Sequence, residues 1–150
     1  RDDALVDRTM LGRVAVMALS AVGVCFAWFA WRLEAGAPSD AVRSEVFTLL
    51  AMCQWFNVLN CRSSLRSALP SILGLGASHG LLRNAWLAGG LLLSMALQGL
   101  VLYAPPLNAM FHTVPPSPST LLALAALASV VLWAEEARKA LARRAITMRR

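Results

Sequence analysis

Charged side chains are scarce in this sequence. They make up 15% of the 150 residues, whereas hydrophobic residues make up 58%. A soluble domain normally carries about a quarter charged residues. The mean hydropathy is +0.60, because long runs of the chain hold no charge at all. This pattern excludes an ordinary soluble fold and predicts an all-α, polytopic membrane helical bundle.

Motifs for catalysis and for resident metals are also missing. The sequence has no nucleophile elbow, no glycine-rich phosphate loop and no HExxH pair. Cys25, Cys53 and Cys61 are isolated, with no CxxC spacing, and we interpret them as reduced thiols that pack as small apolar groups. His79 and His112 lie far apart in sequence and are predicted on opposite sides of the membrane. We therefore expect no catalytic residue and no cofactor within this chain.

The chain also lacks the polar basic face that a nucleic-acid binder presents. Its net charge is +6, but the basic residues flank the apolar runs instead of lining one surface. Anionic lipid headgroups and membrane topology explain such a distribution better than nucleic acid does. The bilayer is thus the first predicted partner.

Four apolar runs predict four membrane-spanning helices, each close to the 20 residues that cross a bilayer. A proline-rich stretch at 104–119 excludes a continuous helix between the third and fourth runs and predicts a turn. The fourth helix is expected to continue out of the membrane as a basic, amphipathic cytoplasmic tail over 138–150. The predicted spans are about 12–33, 42–61, 84–103 and 120–137.

The arginines and the single lysine predict the orientation. All but two of them lie before or at the start of the first span, between the second and third spans, or after the fourth. The exceptions are Arg32 and Arg43. Since cytoplasmic loops carry the excess of basic residues, both termini are predicted to be cytoplasmic.

The second span carries amides where a membrane helix normally carries none. Gln54 and Asn57 are three residues apart and share a helix face, while Thr48 lies farther round, and the third span holds Gln98. Amide oxygens can replace part of the hydration shell of a hard cation. Alternatively, they form hydrogen bonds between helices, worth roughly 0.6 to 2 kcal/mol each. No span has an acidic residue at its middle, so these helices alone would make a poor site for a divalent cation.

Two stretches resemble a known family. The run FTLLAMCQWFNVLNCRSS contains Q-x-F-N-x-x-N-x-R-S and resembles the eighth membrane segment of P-type cation-transporting ATPases in the calcium-pump-like branch. The run LLLSMALQGLVLYAPPLNAMFHTVPPS contains Y-x-P-P-L-x-x-x-F-x-T-x-P and resembles the ninth segment with the loop that follows it. The first and fourth spans are similar to the seventh and tenth segments, so the resemblance covers nearly the whole chain.

This resemblance implies a much longer, multi-pass ATPase of the plasma (inner) membrane. In that family, ATP with Mg²⁺ phosphorylates a cytoplasmic aspartate, and this chain would be the C-terminal membrane support bundle. Its partners would be the preceding membrane helices and cytoplasmic domains of the same polypeptide and the transported cation, Ca²⁺ or another divalent ion. Gln54 falls where some members have an ion-binding acid, and Asn57 falls one turn further on. An amide at the first position favours fewer ion sites than an acid would.

A different class of protein is the alternative. A stand-alone four-helix membrane scaffold, small transporter or assembly subunit would show the same apolar runs. The sequence starts without Met, and we expect it to be a segment of a longer polypeptide.

Overall fold

The computed structural model describes residues 8–60 and 85–147 of the chain. Within these ranges the protein is entirely α-helical, which confirms the predicted all-α class for the part described. The predicted loop at 69–82, Cys61, His79 and the basic residues at 62, 66 and 83 lie outside the described residues. The helices are α1 (Arg8–Glu34), α2 (Ser39–Asn60), α3 (Ala85–Tyr103), α4 (Pro105–Phe111) and α5 (Pro118–Thr147).

A tight turn connects α1 to α2. The amide N–H of Ala37 donates to the carbonyl oxygen of Arg32 at 3.1 Å, and that of Gly36 donates to Leu33 at 3.0 Å. This pair of bonds is a Schellman motif, which requires a left-handed residue after the helix. Gly36 supplies it with φ of 75°. The chain therefore reverses within a few residues, and α2 begins immediately after Pro38.

Three long helices build the core. Helices α1, α2 and α5 pack against each other around six buried side chains. Small and branched residues alternate in this cluster, so the helices approach closely and their larger side chains interlock. The buried residues are Ala21, Leu49, Cys53, Leu124, Ala128 and Val131.

Helix α3 lies at the periphery of this core. It contacts α2 and the short helix α4, and Leu102 is the residue that it buries. The stretch predicted as a proline-rich turn contains α4, which begins at Pro105. Proline is tolerated in the first turn of a helix because the N–H groups there have no partner within the helix. Helix α5 then runs unbroken over Pro118–Thr147, as expected for a fourth span that continues beyond the membrane.

Three helices in the described ranges are long and apolar enough to cross a membrane: Met10–Glu34, Ala85–Tyr103 and Pro118–Ala142. Helix α2 is 22 residues long but does not belong to this group, because its amides and its charged first turns lower its mean hydropathy. The chain thus has the helices of a membrane protein. The four-span arrangement and the cytoplasmic location of both termini remain predictions.

Candidate cation site on helix α2

Gln54 and Asn57 lie on the same side of α2, as their spacing predicts. The Asn57 side-chain amide donates to Gln54 Oε1 at 3.2 Å. Gln54 is exposed and Asn57 is half-buried. The two amides therefore form one polar patch within a single helix.

One oxygen of this patch lacks a hydrogen-bond donor. Asn57 Oδ1 is buried, and no described residue donates to it. Leaving a buried acceptor unpaired costs about 1 to 3 kcal/mol. A bound cation, a water molecule or a donor from a further helix would remove this cost. The hydrogen-bonding capacity of the patch is thus not satisfied by the described residues.

The patch occupies a side of α2 that no described helix covers. Phe47, Leu50 and Val58 are exposed there with Gln54, at the three- and four-residue spacing of one helix face. The opposite side of α2 faces the core, where Leu49 is completely buried. A helix outside the described residues is needed to enclose the patch in a membrane.

Hydrogen bonding between helices was the alternative role for the amides. Among the three amides, the described bonds show this role for Gln98. Gln98 Nε2 donates to Thr48 Oγ1 at 3.3 Å, which joins α3 to α2. Trp55 Nε1 donates to Ser94 Oγ at 2.9 Å in the same interface. Between α2 and α3, bonds of this kind are therefore made by Thr48 with Gln98 and by Trp55 with Ser94, whereas the bond shown between Gln54 and Asn57 stays within α2.

Asn60 terminates α2 in a fully buried position. Its side-chain amide donates to the carbonyl oxygen of Val131 on α5 at 3.4 Å, and its backbone carbonyl accepts a bond from Arg13 Nη2 on α1 at 2.9 Å. Asn60 Oδ1 is buried, and among the described residues it has no donor. Asn60 thus connects the three core helices at the end of α2, and its described hydrogen bonds are made to α1 and α5 and not to Gln54 or Asn57.

Buried charges lie beside Asn60, and sequence reasoning missed them. Arg138 forms two bonds to the fully buried Glu135, at 2.7 and 2.8 Å. Arg13 on α1 approaches the same carboxylate at 3.5 Å. Lys139 is also fully buried and lies 3.2 Å from Glu136.

These contacts show that the first residues of the predicted basic tail, 138 and 139, pack against the end of the bundle. The bounds and the cytoplasmic location of the tail stay predictions. The three-residue spacing from Glu135 to Arg138 is the sequence signal that could have found the first pair.

A second ion pair closes the opposite end of α2. Arg32 donates to both carboxylate oxygens of Glu45 at 2.8 Å, and Trp28 Nε1 donates to Glu45 Oε2 at 2.9 Å. The Arg32 guanidinium also lies 6.0 Å from the centre of the Trp28 ring. This arrangement locks α1 to α2 next to the tight turn.

The chemistry of the patch is that of a partial ligand set. Its oxygens are neutral, and the buried carboxylates Glu45 and Glu135 are already paired with arginines. In the described parts of the chain, no cluster of three or more His, Cys, Asp or Glu side chains could hold a metal ion. Carboxylates to neutralise a divalent cation must come from elsewhere.

Comparisons with known proteins give a consistent result. The family profile described as "Cation transporting ATPase, C-terminus" matches residues 1–141. The chain is 30% identical over 139 residues to Calcium-transporting ATPase 1 of Schizosaccharomyces pombe, with 93% of this chain and 15% of that protein covered. It is 31% identical over 113 residues to the Probable cation-transporting ATPase F of Mycobacterium tuberculosis, with 74% of this chain and 11% of that protein covered. The chain thus spans a small C-terminal part of each relative.

Proposed function

This chain belongs to the cation-transporting ATPases, whose C-terminal region it matches, and from that premise we propose that it is the membrane support bundle of a P-type ATPase. In this proposal the complete protein couples ATP hydrolysis to transport of a divalent cation. ATP and Mg²⁺ act in cytoplasmic domains that precede this chain. The four helices α1, α2, α3 and α5 cross the plasma (inner) membrane, with both termini in the cytoplasm.

The core of α1, α2 and α5 supports the proposed mechanical role. At each end an arginine of α1 approaches a buried carboxylate on another core helix: Arg32 pairs with Glu45 of α2 at 2.8 Å, and Arg13 lies 3.5 Å from Glu135 of α5. Ion pairs between helices restrict how the helices can slide past one another, because separating them would leave the buried carboxylate without compensation. Such a bundle gives the moving helices of a pump a fixed surface to work against.

The uncovered amide patch carries the proposed link to transport. Gln54 is exposed on α2, and the buried Asn57 Oδ1 has no described donor. We propose that both oxygens face the cation, while carboxylates on preceding helices supply its countercharge. The name of the fission yeast relative favours Ca²⁺ as the cargo.

Cation-stimulated ATP hydrolysis by the complete protein tests this proposal. The assay compares Ca²⁺, Mn²⁺, Mg²⁺, Na⁺ and K⁺ for the native protein and for Gln54→Ala. Losing one neutral oxygen ligand, worth about 1.4 kcal/mol, should raise the half-maximal concentration of the transported cation about tenfold, with little change in yield. The described hydrogen bond that the substitution removes lies within α2.

Gln98→Ala is the matched control, since it truncates the same type of side chain. Gln98 bonds to Thr48 across the interface of α2 and α3, so its loss should lower thermal stability without changing the ion dependence. If Gln54→Ala instead lowers the yield of folded protein and leaves the cation dependence of ATP hydrolysis unchanged, Gln54 acts in packing and not in cation binding. A coding sequence without a DKTGT motif upstream of residue 1 would favour the stand-alone scaffold.

A further inference from the structure

A pocket of about 220 Å³ lies at the end of the bundle where α1 turns into α2. One wall is the beginning of α2, and the other is the connection between α4 and α5. The pocket does not include Gln54 or Asn57, although Phe47 in its lining lies about two helical turns from Gln54 on the same side of α2. Its lining residues are Arg43, Ser44, Phe47, Phe111, His112 and Thr113.

Hydrogen bonds hold the two walls together. Ser44 Oγ is buried and accepts a bond from the Val114 N–H at 2.8 Å, which ties the connection to α2. Thr113 Oγ1 donates to the Val101 carbonyl at 2.7 Å, which ties it to the end of α3. His112 ends α4 in the left-handed region with φ of 52°, where a residue other than glycine is uncommon. The pocket is therefore built from fixed backbone on both sides.

The pocket presents positive charge without a strong internal partner. The Arg43 side chain is 70% exposed, and its ion pair with Asp40 is 3.5 Å long and equally exposed. Ion pairs of this kind contribute little to stability, so the guanidinium can exchange its partner at small cost. No carboxylate is among the lining residues.

The position of the pocket relates this charge to the membrane surface. Its lining belongs to helix ends: Arg43 and Ser44 are in the second turn of α2, and Thr113 bonds to Val101 near the end of the apolar helix α3. Phe47 and Phe111 line the pocket together with Arg43, and they are 44% and 50% exposed. A phospholipid places an anionic phosphate next to apolar acyl chains. An arginine beside exposed aromatic rings at the end of a membrane helix is complementary to both parts.

We propose that this pocket binds one phospholipid, with Arg43 paired to the headgroup phosphate and Phe47 and Phe111 packed against the upper acyl chains. Arginine suits this ligand because its planar guanidinium can donate two parallel bonds to phosphate oxygens. The proposal rests on the membrane location of the helices and not on the identity of the transported cation.

Native mass spectrometry of the delipidated complete protein tests the site. Phosphatidylglycerol is titrated into the detergent-solubilised protein, and the fraction of protein that carries one bound lipid is measured at each lipid concentration. Arg43→Gln should weaken the first binding event about tenfold, as expected for loss of a charge-assisted bond. A phosphate-free galactolipid with the same acyl chains should bind equally weakly to the native and variant proteins.

Asp40→Asn separates lipid binding from a structural role of Arg43. If Arg43 acts on the phosphate, removing its competing carboxylate should leave the first binding event unchanged or make it tighter. If Arg43 only stabilises the helix start through Asp40, both variants should lose lipid equally, and this result would overturn the proposal.

Two further arms identify the part of the lipid that is recognised. Inorganic phosphate should not displace the first phosphatidylglycerol at millimolar concentration, since it lacks chains to cover Phe47 and Phe111. Displacement by inorganic phosphate, or unchanged lipid binding by Arg43→Gln, contradicts the proposed site. Because Arg43 is exposed, thermal unfolding should be unaffected in its variant, and this measurement confirms that the protein is folded.

Discussion

The substitution Glu45→Gln tests the ion pair that fastens α1 to α2. The carboxylate is 5% exposed and accepts two bonds from Arg32, whose side chain is 27% exposed, and one from Trp28. Removing one partner of a fully buried pair costs about 3 to 5 kcal/mol, because the other charge is left without compensation. Arg32 retains contact with solvent and the glutamine can still accept the Trp28 bond, so we expect a loss of about 2 to 3 kcal/mol.

A double-mutant cycle measures this interaction in mixed-micelle SDS unfolding of the detergent-solubilised protein. Arg32→Gln alone should be destabilising as well, whereas Glu45→Gln combined with Arg32→Gln should cost less than the sum of the two. The expected coupling is about 1.5 to 3 kcal/mol. The exposed pair of Arg43 and Asp40 is the control, and Asp40→Asn should change stability by less than about 1 kcal/mol. Additive effects of the two single substitutions would refute the reasoning.

Two other substitutions test the core and the charged end of the bundle. Leu49→Ala truncates a completely buried side chain and should cost about 2 to 5 kcal/mol, whereas the neighbouring exposed Leu50→Ala should cost much less, as measured by SDS unfolding. Glu135→Gln should cost about 2 to 4 kcal/mol because Arg138 and Arg13 lose their buried carboxylate, while the exposed Glu34→Gln should be nearly neutral in the same measurement. If Leu49→Ala and Leu50→Ala, or Glu135→Gln and Glu34→Gln, changed the unfolding free energy equally, this result would contradict the difference in burial on which the expectations depend.

The amides of α2 show where sequence reasoning was sufficient and where it was not. The three-residue spacing correctly placed Gln54 and Asn57 on one side of the helix, since helical geometry alone determines this. The same reasoning could not distinguish them from Gln98, which is also an amide in an apolar run. That distinction depends on which faces the neighbouring helices cover. Gln98 bonds to Thr48 on α2, whereas Gln54 is exposed and its described hydrogen bond is to Asn57 on its own helix.

The charged residues at the helix ends show the same division. Their positions at the ends of apolar runs were evident, and they supported the predicted orientation. Their pairing was not evident, because Arg32 and Glu45 are thirteen residues apart and meet only through the turn. Glu135 lies near the end of the predicted fourth span and Lys139 at the start of the predicted basic tail, and the structure buries both completely. The number of basic residues in each loop predicts on which side of the membrane that loop lies, but it does not predict which charged side chains are buried.

The sequence by itself determined the helical class, the apolar helices and the family. These follow from local properties: runs of uncharged residues, proline and glycine at the turns, and motifs read along one chain. The tertiary structure alone decided which polar groups are satisfied and which face of α2 stays open, because these depend on contacts between residues that are distant in sequence. Gln54 and Asn57 remain a candidate site for that physical reason, as α1 and α5 cover the other side of their helix.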